Sequence, residues 1–251
     1  MQVVLITAFG VGGATVVGAL IGFLFKKIPH NWNDAILGFA AGIMLAAAIL
    51  GLIIPSMEEV GKKGLWVTAV GMIAGCLFLN FADKLTPHLH HLTGVHVEKH
   101  SKNSSLNKVM LFVLAIAIHN LPEGLAAGVG FGSGNSGNAI SVAVGIALQN
   151  IPEGMVIIAP MLQSGVSKKR TLLIATFTGM IEVVGTFIGY FAASISSTIL
   201  PFALAFAGGT MLYVISDEMI PETHSHGYER MATYSLIIGF IAMMFMAVYI
   251  G

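Results

Sequence analysis

Long apolar runs separated by short polar segments dominate this chain. Eight of them, at approximately 2–25, 34–56, 64–84, 108–131, 138–163, 171–194, 198–220 and 231–250, are long enough to span a bilayer. A hydrocarbon core of about 30 Å takes roughly 20 helical residues. The pattern predicts an all-α polytopic membrane protein, with eight transmembrane helices forming a single domain over 1–251. Only 85–107 is left as a sizeable loop. The first run has no positive segment before it and is too long for a signal peptide, so it reads as a retained helix.

Polar residues inside the runs carry more information than the runs themselves. His119-Asn120-Leu121-Pro122-Glu123-Gly124 and Gln149-Asn150-Ile151-Pro152-Glu153-Gly154 repeat one spacing in the fourth and fifth runs. On a helix, i and i+4 share a face, so His119 lies with Glu123, and Gln149 with Glu153. Asn120 and Asn150 sit three residues before the same glutamates. The prolines remove a backbone donor and crowd the preceding turn, which predicts a kink in each helix. A single such motif is explained by helix packing alone, because membrane helices tolerate proline and use amides to bridge neighbours. Two copies, each with a glutamate, are not, because a carboxylate in hydrocarbon is costly and marks an ion or proton path.

Lysine and arginine placement sets the orientation. With the N-terminus outside, the inner loops hold Lys26, Lys27, Lys84, Lys99, Lys102, Lys108, Lys168, Lys169, Arg170 and Arg230, and the outer side only Lys62 and Lys63. Both termini are then outside and the 85–107 loop is cytoplasmic. At about 1.5 Å per residue, His119, Glu123, Gln149, Glu153, Glu182 and Met44 all fall near the midplane. The two motif helices run antiparallel, as inverted repeats around a midplane site do. Asp83, Asp217, Glu218, Glu222, His224 and His226 fall lower, towards the cytoplasm, with His88, His90, His91, His96 and His100 in the loop. Glu58 and Glu59 fall at the outer end. These end residues suit either a ladder of ligands or an ordinary solvated boundary. His30 reads as interfacial and Asp34 as a helix cap. Small residues at Gly10, Ala14, Gly18 and Gly22, and at Gly38, Gly42 and Ala46, read as close helix packing.

Composition agrees. Of 251 residues, 56% are hydrophobic and 10% charged, against about a quarter charged in soluble domains, and mean hydropathy is +0.86. Zero net charge gives no case for nucleic acid. The lone Cys76 cannot form an internal disulfide and reads as packing.

Three glutamates in a dry site need protons or cations. Imidazole with carboxylate and amide oxygens suits Zn²⁺, Fe²⁺ or Mn²⁺; His119 argues against Ca²⁺ and Mg²⁺, and one cysteine against Cu⁺. Glu123 and Glu153 can bridge two adjacent metals, three carboxylates against two divalent ions leaving a net charge of +1. Weak amide ligands suit a site that must release its ion. A zinc protease would need an HExxH helix and a di-iron protein two Glu-x-x-His pairs; neither is present. The alternatives are an intramembrane metalloenzyme, which these missing motifs disfavour, and a proton-coupled carrier of an organic solute, which would want a larger, more aromatic site.

The paired motifs, Glu182 in MIEVVG and the run YVISDEMIPETH resemble the ZIP family, the zinc- and iron-regulated transporter-like proteins, and its prokaryotic branch most. The resemblance covers essentially the whole chain. It implies import of divalent metal into the cytoplasm, zinc first, with Fe²⁺, Mn²⁺ and Cd²⁺ as further substrates and no separate cofactor. It implies a kinked central pair, spans 4 and 5, between two three-helix groups related by pseudo-symmetry, and an elevator-like sliding of one group against the other. One metal would be held by Met44, His119, Glu123, Gln149 and Glu153. The other would be held by Asn120, Glu123, Asn150, Glu153 and Glu182. Asp83, Asp217 and Glu218 would form an exit-side site. Asn150 departs from relatives with aspartate there, and Asp217 stands where histidine is frequent. Expected partners are divalent metal ions and the lipid bilayer, not nucleic acid, with a homodimer as one assembly the resemblance allows.

Overall fold

The structure, a computed structural model, describes residues 1–25, 29–85, 104–132, 136–163, 165–195 and 198–251. The described residues are helical throughout their regular structure. α1 is Gln2–Gly22, α2 His30–Ala46, α3 Ile54–Leu85, α4 Ser104–Gly132, α5 Ser136–Gln163 and α6 Lys168–Ile195. α7 is Leu200–Val214, α8 the short Ile220–Thr223, and α9 Glu229–Tyr249. Six stretches of the described residues are long and apolar enough to cross a membrane. The loop histidines and Lys26, Lys27, Lys99 and Lys102 lie outside the described residues.

One of those six stretches, His30–Ala82, is 53 residues long. At about 1.5 Å per residue it is far too long for one crossing of a 30 Å core. It is broken at Gly61, whose φ of 59° and ψ of −172° are open to glycine and strained for other residues. The break falls inside the 57–63 gap between the second and third apolar runs.

Among the described residues, two helical segments depart from α geometry, and neither lies at the motif prolines. α2 continues into a π-helical stretch, Ala47–Ile53, and α7 into another, Ile215–Met219. α4 runs through Pro122, and α5 through Pro152, without interruption. The expected loosening at the prolines is therefore not an unwinding of the helix. Each π turn holds an extra residue, which re-aims the side chains around it.

The helices pack in pairs through glycine. A Cβ on Gly42 of α2 would overlap the carbonyl of Leu236 in α9, and one on Gly239 of α9 that of Phe39. α3 meets α7 in the same way at Gly75 and Phe206, α1 meets α5 at Gly18 and Ile151, and α4 meets α6 at Gly128 and Thr186. Contacts advance in the same direction along both members of each pair: Gly38 meets Ala232 before Gly42 meets Leu236, and Gly71 meets Phe202 before Gly75 meets Phe206. All four pairs are parallel. Close approach of this kind gives dispersion contact and weak Cα–H···O bonds where lipid supplies no hydrophobic drive. A buried apolar cluster around Met44, Leu52, Ala126, Ile146, Met211 and Met243 joins α2, α4, α5, α7 and α9.

Gly42→Val is expected to lower the thermal unfolding midpoint in detergent by several degrees, since it drives a side chain into the Leu236 backbone. Gly10→Ala, with open space at its Cβ, is expected to leave the midpoint unchanged.

Candidate metal centre

A cluster of buried polar groups forms where α1, α4, α5 and α6 meet. Asn120, Glu123, Gln149, Asn150 and Glu182 are buried, as is Thr15 of α1, and Glu153 is half-buried. The two motif glycines make room for this. A Cβ on Gly124 would overlap the carbonyl oxygen of Glu182, and one on Gly154 that of Thr15. The motifs thus bring α6 and α1 against α4 and α5 at the level of their own glutamates.

Glu182 is the hub. Its Oε1 accepts from the Thr15 hydroxyl at 2.7 Å and from the Asn120 amide at 2.7 Å, and its Oε2 accepts from the Asn150 amide. A carboxylate only accepts, so both asparagines must turn their nitrogens towards it and their oxygens away. Asn150 also donates to the Val11 carbonyl at 3.2 Å, and its own oxygen accepts from Gln149 at 2.7 Å. Gln149 also faces Glu123, which lies in the field of the Glu153 and Glu182 carboxylates. The sequence reading had Asn120 and Asn150 reaching the motif glutamates; both reach Glu182.

Three oxygens of this cluster are left with no donor in hydrogen-bond distance: Asn120 Oδ1, Glu123 Oε2 and Gln149 Oε1. All are buried and all are acceptors. Buried polar atoms are nearly always satisfied, and leaving one bare costs about 1–3 kcal/mol. A group of bare acceptors is satisfied by a cation. Among the described residues, no three His, Cys, Asp or Glu side chains gather to hold a metal unaided. In this conformation the donor set is mixed, amide with carboxylate.

His119 faces the other way around the same centre. Its Nε2 is 2.8 Å from Glu218 Oε1, and Glu153 lies in the field of both. Counting residues along a regular helix placed Glu218 well below His119. In the structure the two meet, Glu218 standing within the π turn Ile215–Met219. Asp217 does not join them; it lines a shallow cavity of about 300 Å³ with Cys76, Leu212, Tyr213 and Ser216. Met44 is buried in the apolar cluster beside the centre. The Asp83 side chain lies outside the described residues.

One reading of a boundary residue changes, and two neighbouring histidines gain partners. Asp34 is not a cap: α2 starts at His30 after Pro29 with no side-chain capping bond. Asp34 is instead fully buried, its Oδ1 3.0 Å from His226 Nδ1. His30 stacks on that same His226 ring, with centroids 4.7 Å apart. His224 has both ring nitrogens engaged, with the Ile220 carbonyl at 2.9 Å and Thr233 at 3.0 Å, so it closes the α8 turn onto α9. The site residue that the sequence reading missed is Thr15.

A helical membrane protein whose buried core carries bare carboxylate and amide oxygens is an ion-handling protein. Comparison with known proteins gives the family. The profile described as "ZIP Zinc transporter" matches residues 93–247. The chain is 41% identical to "Zinc transporter GufA" of Myxococcus xanthus, over 98% of each protein. It is 37% identical to "Zinc transporter ZIPB" of Bordetella bronchiseptica, over 95% of this chain and 78% of that protein. It is 33% identical to "Zinc transporter ZupT" of Chlorobaculum parvum, over 92% and 91%. The chain belongs to the ZIP family, a family of transporters rather than enzymes.

Glu182→Ala is expected to cost more stability than Glu123→Ala. The first leaves three buried donors without their acceptor, at about 1–3 kcal/mol each. The second removes a carboxylate of which one oxygen, Oε2, has no donor. Thermal unfolding of the two variants in detergent checks the order.

Proposed function

We propose that this protein carries zinc into the cytoplasm through a two-metal site at the middle of the membrane. The observation that carries this reading is the set of buried, donorless oxygens on Asn120, Glu123 and Gln149 beside Glu153 and Glu182. The names of its relatives point to the same cargo. Met44, His119, Glu123, Gln149 and Glu153 hold one ion; Asn120, Glu123, Asn150, Glu153 and Glu182 hold the other. Two divalent ions against three carboxylates leave a small residual charge, which makes the site tolerable in a low-dielectric interior. Asp83, Asp217 and Glu218 form the exit side, with Glu218 handing the ion on from His119. Borderline Fe²⁺, Mn²⁺ and Cd²⁺ suit the same ligands less selectively.

Eight spans fit the packing. In an eight-span chain, α1, α3, α5 and α7 run one way and α2, α4, α6 and α9 the other. Each parallel pair then joins helices of the same direction: α1 with α5, α3 with α7, α2 with α9, α4 with α6. The central pair α4 and α5 lies between two three-helix groups, both termini are outside, and 85–107 is cytoplasmic, as the lysine and arginine distribution favours. The protein works in the lipid bilayer, and a homodimer is compatible with this arrangement.

Glu123→Ala and Glu153→Ala are each expected to abolish ⁶⁵Zn²⁺ uptake into proteoliposomes while the protein still inserts. Normal uptake by both variants would remove the central site from the mechanism. Zinc binding is expected to weaken as pH falls, because protons compete with metal for the same carboxylates and imidazole. Equilibrium binding from mild acid to neutral pH measures this; an affinity that did not change would contradict it.

A further inference from the structure

The chain repeats a second pattern outside its Pro-Glu-Gly motifs. α1 reads Gly12-x-x-Thr15-x-x-Gly18-x-x-x-Gly22, and α6 reads Gly179-x-x-Glu182-x-x-Gly185-x-x-x-Gly189. Position by position, the two helices make the same contacts. The Thr15 carbonyl lies on Gly154, the Glu182 carbonyl on Gly124. Gly18 lies on the carbonyl of Ile151, and Gly185 on that of Leu121, each the third residue of its motif. Gly22 meets Met155 and Gly189 meets Leu125, each the first residue after its motif. Gly12 and Gly179 lie on each other, where the two halves cross. Thr15 stands to α5 as Glu182 stands to α4.

Its hydroxyl behaves accordingly. Buried threonines in helices ordinarily bond back to a carbonyl of their own helix. Those at 171, 178, 186 and 210 do so, to Ser167, Ala175, Glu182 and Ala207. Thr15 does not. The carbonyl four residues before it, Val11, accepts from Asn150 instead, and the Thr15 hydroxyl turns across to Glu182 Oε1.

We infer that Thr15 is a positioning residue of the second metal subsite, the counterpart of Glu182 in the other half of the repeat. This rests on the two-metal reading above. Thr15 and Asn120 share one carboxylate oxygen, so the hydroxyl fixes how Glu182 is turned, and Glu182 fixes where the Asn120 oxygen points. A hydroxyl rather than a fourth carboxylate at this position also keeps the negative charge of the site at three.

The test is zinc uptake kinetics in proteoliposomes, with Zn²⁺ binding to the detergent-solubilised protein in parallel, for Thr15→Val and Thr15→Ser. Thr15→Val keeps the shape and loses the hydroxyl. It is expected to raise KM for Zn²⁺ about tenfold, the scale of one hydrogen bond to a charged group, with maximal rate little changed and a thermal midpoint lowered by less than in Glu182→Ala, since one bond is lost and not three. Thr15→Ser is expected to return KM to within about twofold of wild type. A wild-type KM in Thr15→Val overturns the proposal, as does equal impairment of Val and Ser, which would make volume the cause. Should Thr15→Val fail to reach the membrane, Thr15→Cys, a weak donor of similar size, is expected to give an intermediate KM, and a wild-type KM there also overturns it. Glu123→Ala separates the two readings. If it is inactive while Thr15→Val is normal, only the role of Thr15 fails; if it transports normally, the two-metal site itself fails.

Discussion

A single buried carboxylate holds the transport region together. Glu182 accepts from three helices at once: Thr15 on α1, Asn120 on α4 and Asn150 on α5. A charge in a low-dielectric interior is tolerable only when it is paired or fully hydrogen-bonded. These three donors meet that condition, and in doing so they set the relative position of the helices that supply them. They also decide the chemistry of the centre. Because the asparagine nitrogens are committed to Glu182, the amide oxygens face elsewhere, and the Asn120 oxygen is left bare beside Glu123 and Gln149. The hub binds the protein to itself so that the rim can bind something else.

Glycine makes the hub reachable. Side-chain hydrogen bonds of this length between helices need backbones in contact, and the contacts at Gly124, Gly154, Gly12 and Gly179 are of that kind. They occur at equivalent places in two halves of the molecule, so the backbone contacts around Glu123 are repeated around Glu153, with threonine in place of glutamate on the neighbouring helix. Repetition explains why the motif occurs twice. The difference explains why the charge of the centre is odd.

Much of this was legible in the sequence. Helices were, because an apolar run in a membrane chain has little choice but to be helical; even the break at Gly61 fell in a predicted gap. The centre was partly legible, because a carboxylate among apolar residues announces itself. What escaped did so for physical reasons. Depth was counted from a seventh run taken to end at 220, whereas the apolar helical stretch runs on to Thr223, and Glu218 meets His119. Thr15 escaped because a threonine in a membrane helix normally satisfies its own hydroxyl, and nothing in its type says that it does not. Asp34 was read as a cap from its place near a helix start; only its burial against His226 shows a pair that joins distant parts of the chain.

The same hub bears on how an ion can be released. An amide nitrogen cannot ligate a cation, and Glu182 has both oxygens occupied by donors. The three donors take three of the roughly four lone-pair sites of the carboxylate, so a cation that binds Glu182 through more than one site displaces a donor, and the Asn150 amide can turn its oxygen to that cation only by giving up its bond to Glu182. Glu123 and Gln149 have bare oxygens and lose nothing comparable. In the two-metal reading proposed above, the two subsites are thus unequal: one presents bare oxygens, and the other binds in competition with the bonds that join the helices. A site that must let its ion go within each cycle needs such a competitor, and here the protein supplies it from its own amides.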